Sequence, residues 1–154
     1  MFKKKFFTSL ILILFFSGCG YSPVYKNLNN KNLKIEVSKL TGDNLVNSNI
    51  KSRLKIYSKS NSNFIYQVDI NTNYEKEDLS KDLTGRITNY TLKFITEFAI
   101  NSSKINKKII IEENFNLNNS DDAYKNNQSE NLIKRNFANI AVERLISELL
   151  LMKW

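Results

Sequence analysis

Four times between Leu33 and Leu117 apolar residues recur at every second position, a period that fits a pleated strand with one buried face. Leu33, Ile35 and Val37 alternate with Lys34, Glu36 and Ser38. Phe64, Tyr66, Val68, Ile70, Thr72 and Tyr74 alternate with Ile65, Gln67, Asp69, Asn71 and Asn73, the clearest strand in the chain. In the third stretch Tyr90, Leu92, Phe94, Thr96, Phe98 and Ile100 share one side, with Asn89, Thr91, Lys93 and Glu97 on the other. The fourth, Lys107 to Leu117, is less regular, because Ile109-Ile110-Ile111 is continuous; such a run predicts a more central place in the sheet or burial on both faces. Asn61-Ser62-Asn63 predicts a loop, Glu75 to Asp82 with Thr84-Gly85 a long turn, and Asn101 to Asn106 a hairpin turn.

Two segments change to the helical period. After Thr41-Gly42-Asp43, which breaks the first strand and offers a cap, Val46, Ile50, Leu54 and Tyr57 fall on one stripe, with Lys51, Arg53 and Lys55 elsewhere. From about Asp121 onward Leu132, Ile133, Phe137, Ile140, Ala141, Leu145 and Leu149 form a second stripe with no Gly or Pro among them. Ser120, Asp121 and Asp122 suit its start, since a side-chain oxygen there accepts a free amide and the acids face the positive end of the dipole. The order is β-α-β-β-β-α. A strand-helix-strand opening requires a parallel pair and short connections require antiparallel ones, so the expected fold class is α+β. It is a two-layer sandwich in which two helices pack on a mixed four-stranded sheet, formed by one domain over residues 32–154.

Upstream of that domain, Lys3-Lys4-Lys5 precedes an apolar run from Phe6 to Phe16 that ends at Ser17-Gly18, the layout of a secretory signal. The run is well short of the ~20 residues a permanent transmembrane helix needs. Phe16-Ser17-Gly18-Cys19 resembles the lipobox of bacterial lipoproteins, with Phe16 where Leu is usual, and Cys19 is the only cysteine. The expectation is a signal peptide over residues 1–18, lipidation at Cys19, and a tether over residues 19–31 that is rich in Gly, Ser, Pro and Asn. Three acyl chains, at about 0.8 kcal/mol per buried CH₂, hold such a protein at a bilayer almost irreversibly. Gly20 stands where Asp retains enteric lipoproteins at the inner membrane, which favours the outer membrane. Losing three lysines with the signal lowers the net charge from +8 to +5.

Composition removes much chemistry. With no His and one Cys, the chain has no Ser-His-Asp or Cys-His machinery, no imidazole metal site and no internal disulfide. Glu112 and Glu113 are adjacent on a strand and point to opposite faces, while Glu75 and Glu77 lack a partner base. No enzyme activity, metal or cofactor is expected. Eight Lys or Arg lie between Lys26 and Lys59 against Glu36 and Asp43, and Arg86, Lys93, Lys104, Lys107 and Lys108 gather around the third and fourth strands against Glu97. Such groups attract polyanions. The bias of 19 Lys to 4 Arg, together with heavy Asn and Ile use, also matches the codon drift of an A/T-rich genome. Nucleic acid is not an expected partner for a lipid-tethered chain; an anionic glycolipid suits the same charges.

Cys19-Gly20-Tyr21-Ser22-Pro23-Val24-Tyr25 resembles the CGF-x-PLY start of mature LPS-assembly lipoproteins of the LptE family, with Tyr21 for Phe and Val24 for Leu. The element order, Leu45-Val46-Asn47 at the first helix, the Arg-x-x-x-Tyr-x-Leu run from Arg86 to Leu92, and Ala138 and Ala141 in the last helix are similar to alphaproteobacterial members. The resemblance implies a non-enzymatic outer-membrane lipoprotein. It would plug and help assemble the LptD β-barrel, face the periplasm and the barrel lumen, and bind lipopolysaccharide, with Arg86, Lys93, Lys107 and Lys108 pairing with lipid A phosphates. The alternative is a structural envelope lipoprotein that recruits another protein and binds no glycolipid.

Overall fold

The computed structural model describes residues 33–57, 64–102 and 105–152. Their order is β1 (Leu33–Gly42), α1 (Asn44–Tyr57), β2 (Phe64–Lys81), β3 (Ile87–Asn101), β4 (Asn106–Asn118) and α2 (Ala123–Leu151). The four strands form one sheet in the order β1-β2-β3-β4, with β1 parallel to β2 and the other neighbours antiparallel. The expected α+β sandwich and its mixed sheet are therefore found. The signal peptide, Cys19, the tether, Lys104 and the Asn61-Ser62-Asn63 loop lie outside the described residues.

Alternation decides which face is covered. Ile35, Tyr66, Val68, Ile70, Leu92, Phe94, Phe98, Ile100, Ile109, Ile111 and Leu117 are buried against the helices. The helices answer with Val46, Ile50 and Leu54 from α1 and Phe137, Ala138, Ala141, Val142, Leu145, Ile146 and Leu149 from α2. Phe94 is the hub: its ring stacks on Phe137 at 4.8 Å between centroids, tilts against Tyr74 at 4.9 Å and meets Phe115 edge-on at 5.7 Å. Aromatic pairs of this kind add about 0.5–1.5 kcal/mol each beyond the area they bury.

Caps and turns follow from short polar side chains. Asp43 caps α1, its Oδ1 accepting the Val46 N–H at 2.9 Å. Asp122 caps α2, accepting the N–H groups of Tyr124 and Lys125 at 2.9 and 3.3 Å. The cap is thus the last of the three residues expected to start that helix. At the β1 to α1 corner Gly42 takes φ +97°, and a Cβ there would lie 1.6 Å from the Thr72 carbonyl oxygen, so the close approach of β1 to β2 admits only glycine. Buried Asn47 fastens the same corner: its Nδ2 donates to the Thr41 carbonyl at 2.9 Å and its Oδ1 accepts from the Thr72 hydroxyl at 3.1 Å.

Three expectations need correction. Glu75 to Lys81 is strand, not turn: β2 runs through all 18 residues and stays paired with β3. This end of the hairpin lies beside the start of α2, where Arg86 reaches Asp121 and Lys76 reaches Glu130, and because α2 has no buried residue before Phe137 the surface here is charged. Only Asp82 to Gly85 turns the chain. There the Asp82 carboxylate accepts the N–H groups of Thr84 and Arg86, and Gly85 takes φ +83°. Second, β4 is an edge strand. Ile109 and Ile111 face the helices, while Ile110 is 59% exposed on the other face, so the isoleucine run reflects one buried side and one open apolar position. Third, Leu132 is 68% exposed, because no residue of α2 before Phe137 is buried.

Candidate functional site

The structure does not bring Arg86, Lys93, Lys107 and Lys108 together. Arg86 lies at the β2 to β3 turn, with Nη1 2.8 Å from Asp121 and Nε 3.4 Å from Asp82. Lys93 stands on the uncovered sheet face, 2.7 Å from Glu77 on β2. Lys108 is on the same face, where it meets Glu97 at 2.6 Å. Six residues of strand, about 20 Å, separate the rungs of Lys93 and Lys108. Lys107 points to the helical side and reaches Glu148 of α2 at 3.0 Å. Each cation already has a carboxylate. The count along the chain that set five cations against Glu97 missed these partners, because they come from β2, α2 and the turn before α2.

Register defines the uncovered face. From β1 it takes Lys34, Glu36, Lys39 and Thr41, and from β2 the odd-numbered residues from Ile65 to Glu77. From β3 it takes the odd-numbered residues and from β4 the even-numbered ones. Four lysines (Lys34, Lys39, Lys93 and Lys108) share this face with six carboxylates (Glu36, Asp69, Glu75, Glu77, Glu97 and Glu112), and most of the remainder is Asn, Gln or Thr. The face is polar and close to balanced in charge, which suits contact with a polar wall better than capture of a polyanion.

The cations that form no ion pair with any described carboxylate include Lys51, Arg53 and Lys55 of α1, a helix of 14 residues without a single acid. Lys51 and Lys55 are exposed and Arg53 half-buried. The excess of basic residues around α1 was visible in the sequence; its lack of carboxylate partners needed the fold.

A second charged cluster joins α2 to the β1 to α1 corner. Lys134, with 12% of its side chain exposed, donates to Asp43 at 2.9 Å, lies 3.6 Å from Glu130, and sits over the Tyr74 ring at 3.9 Å from the centroid. Lys76 meets Glu130 at 2.9 Å and also covers the Tyr90 ring. Burial pushes the Asp43 carboxyl up, but hydrogen bonds from Lys134 and the Val46 N–H, with the Lys134 charge, hold it below the usual carboxylate range. For Glu130 burial is likewise outweighed, here by Lys76 first. The Tyr74 hydroxyl is buried with no polar atom in hydrogen-bond geometry, and burial plus the neighbouring Glu130 charge push its ionisation up. Both carboxylates are thus ionised and the phenol protonated through the neutral range. The cluster works as a clasp between elements. Among the described residues no group of three or more Asp, Glu, Cys or His is placed to hold a metal. None of the described helices is long and apolar enough to cross a membrane.

This architecture is that of small bacterial lipoproteins of known structure. The chain superimposes on rare lipoprotein B from Shewanella oneidensis with a TM-score of 0.56 at 18% identity, over 73% of this chain and 94% of that one. A lipoprotein structure from Caulobacter crescentus matches with a TM-score of 0.51 at 13% identity, over 86% of this chain and 99% of that one. No protein-family model matches the sequence, and no curated protein matches it either. At these identities the likeness is one of fold.

Proposed function

We propose that the chain is a lipid-anchored, non-enzymatic envelope protein of the lipopolysaccharide export route, seated at the outer membrane inside an LptD-type β-barrel. The observation that carries this reading is the fold shared with rare lipoprotein B, which is the LPS-assembly lipoprotein LptE. It meets a sequence that places its only cysteine directly after Ser17-Gly18. A two-layer domain with an Asn-rich, charge-balanced sheet face fits the polar interior of a large barrel. Lysines and arginines supply charge-assisted contacts to lipid A phosphates. Lys51, Arg53 and Lys55 take first place for that role, since they have no carboxylate to exchange, and Arg86, Lys93, Lys107 and Lys108 follow.

Extraction of the protein from its native envelope in mild detergent tests the reading. The expected result is a large β-barrel protein in the eluate, with labelled palmitate on the chain. An eluate with the lipid label but no barrel overturns the plug role and leaves a structural lipoprotein recruiting another partner. For the glycolipid, alanine at Lys51, Arg53 and Lys55 together should weaken lipopolysaccharide binding more than alanine at Arg86, Lys93, Lys107 and Lys108, with a shallower salt dependence than wild type. Unchanged binding in both variants removes the glycolipid contact.

A further inference from the structure

The outer edge of β4 is unpaired among the described residues, and its sequence is Lys107-Lys108-Ile109-Ile110-Ile111-Glu112-Glu113. Read from either end about Ile110, each cation has an anion at the mirrored position and each isoleucine an isoleucine. We propose that β4 is a self-pairing edge: two copies of the chain join β4 to β4, antiparallel, about a twofold axis at Ile110, fusing two four-stranded sheets into one of eight. The inference concerns the chain when it is not seated in a barrel, and does not depend on the glycolipid reading.

In that register Lys107 faces the second copy's Glu113, Lys108 its Glu112, Ile109 its Ile111, and Ile110 its own equivalent. Directly opposed residues of an antiparallel pair lie on the same side of the sheet, about 4.5–5.5 Å apart, close enough for ion pairs and apolar contacts. Sidedness agrees with the fold. Lys107 and Glu113 are both on the helical side, Lys108 and Glu112 on the uncovered side, and Ile110 is the open apolar position there. The existing ion pairs extend rather than compete. Glu148 holds Lys107 and Arg144 holds Glu113, so the joined edge carries a row of alternating sign: Glu148, Lys107, then Glu113 and Arg144 of the second copy. On the other side Glu97 and Lys108 continue into the second copy's Glu112.

An edge is guarded against pairing by charged side chains, a proline or a bulge. β4 has no proline and no bulge, staying in unbroken register with β3 from Asn106 to Asn118, and its charges repel a strand of like pattern except in the one antiparallel register that sets Lys107 and Lys108 against Glu113 and Glu112. The opposite edge, β1, shows the contrast, with a register shift between Val37 and Lys39. A twofold contact requires a surface complementary to itself, and a strand whose charges reverse sign across its centre meets that requirement.

The test uses the full chain in detergent, with mass followed by light scattering and sedimentation across concentration. Wild type should show a monomer to dimer equilibrium. K107E/K108E and E112K/E113K should each weaken association by about tenfold or more, because four cross-strand ion pairs become like-charge contacts. Mixing the two variants should restore a heterodimer, and the fourfold reversal K107E/K108E/E112K/E113K should restore the homodimer. As a readout that keeps the charges intact, Ile110→Cys should give a disulfide-linked dimer with added oxidant, while Ile95→Cys on β3 of the same face should not. The wild-type chain, whose only cysteine is Cys19, reports background. A monomer at every concentration, a dimer unmoved by the reversals, or no cross-link at position 110 overturns the proposal.

Discussion

The two faces of the sheet are built from the same strands and differ in almost everything else. On the covered face Phe94, Phe98, Ile100 and their neighbours are fully buried, and the charges at its margin close onto the helices through Lys76, Lys107 and Glu113. On the other, Ile65, Ile95 and Ile110 are partly exposed singletons among amides and paired charges. Alternation at period two lets one strand carry stability on one side and leave the other side free to vary. The contrast locates free energy of folding and capacity for contact on opposite surfaces.

Substitution at adjacent positions of β3 breaks or confirms that contrast most directly. Phe94→Ala should lower stability by about 3–5 kcal/mol, whereas Ile95→Ala, one residue on and facing out, should stay under about 1 kcal/mol, both read by denaturant unfolding. If the two cost the same, the uncovered face is not free surface. The clasp comes next. Asp43 ionises more readily in the folded chain than in the unfolded one, so its contribution is present above the ordinary carboxylate value and is lost as pH falls through the lowered folded value. Asp43→Asn should therefore cost about 1–3 kcal/mol at neutral pH and flatten the acid limb of the stability profile below about pH 4. An unchanged acid limb would assign acid sensitivity to other groups, Glu130 first. Smallest of all, Lys93→Ala should barely move the unfolding midpoint, since its pair with Glu77 is solvated, and any shift should shrink in high salt.

Element order and the buried side of β2 and β3 were legible in the sequence, because alternation survives wherever one face is covered and the other is wet. The cap at Asp43 was legible as well. The stretch from Glu75 to Lys81 was not: it lies beside the part of α2 that has no buried residue, so neither side need be apolar, and charge density looks like a turn. Ile109-Ile110-Ile111 misled for the opposite reason, since a single exposed isoleucine between two buried ones is indistinguishable from a strand buried on both sides. The four cations chosen as phosphate ligands failed to converge because a count along the chain cannot see Glu77, Glu148 or Asp121 arriving from other elements. The same limit hid the clasp, whose Lys134 and Asp43 stand 91 residues apart.

The parallel pairing of β1 with β2 has a consequence for how the chain is made. Synthesis runs from the amino end, so the first strand to emerge finds no hydrogen-bonding neighbour until residues beyond Phe64 have followed it. The layer that shields the apolar rows of β2 and β3 is completed only by Phe137 to Leu149, which are translated after all four strands. A meander such as β2-β3-β4 can assemble from local contacts, but the opening strand and the closing helix must wait. During that interval the nascent polypeptide presents sticky, half-finished surface, and a holding chaperone would be needed most at this stage.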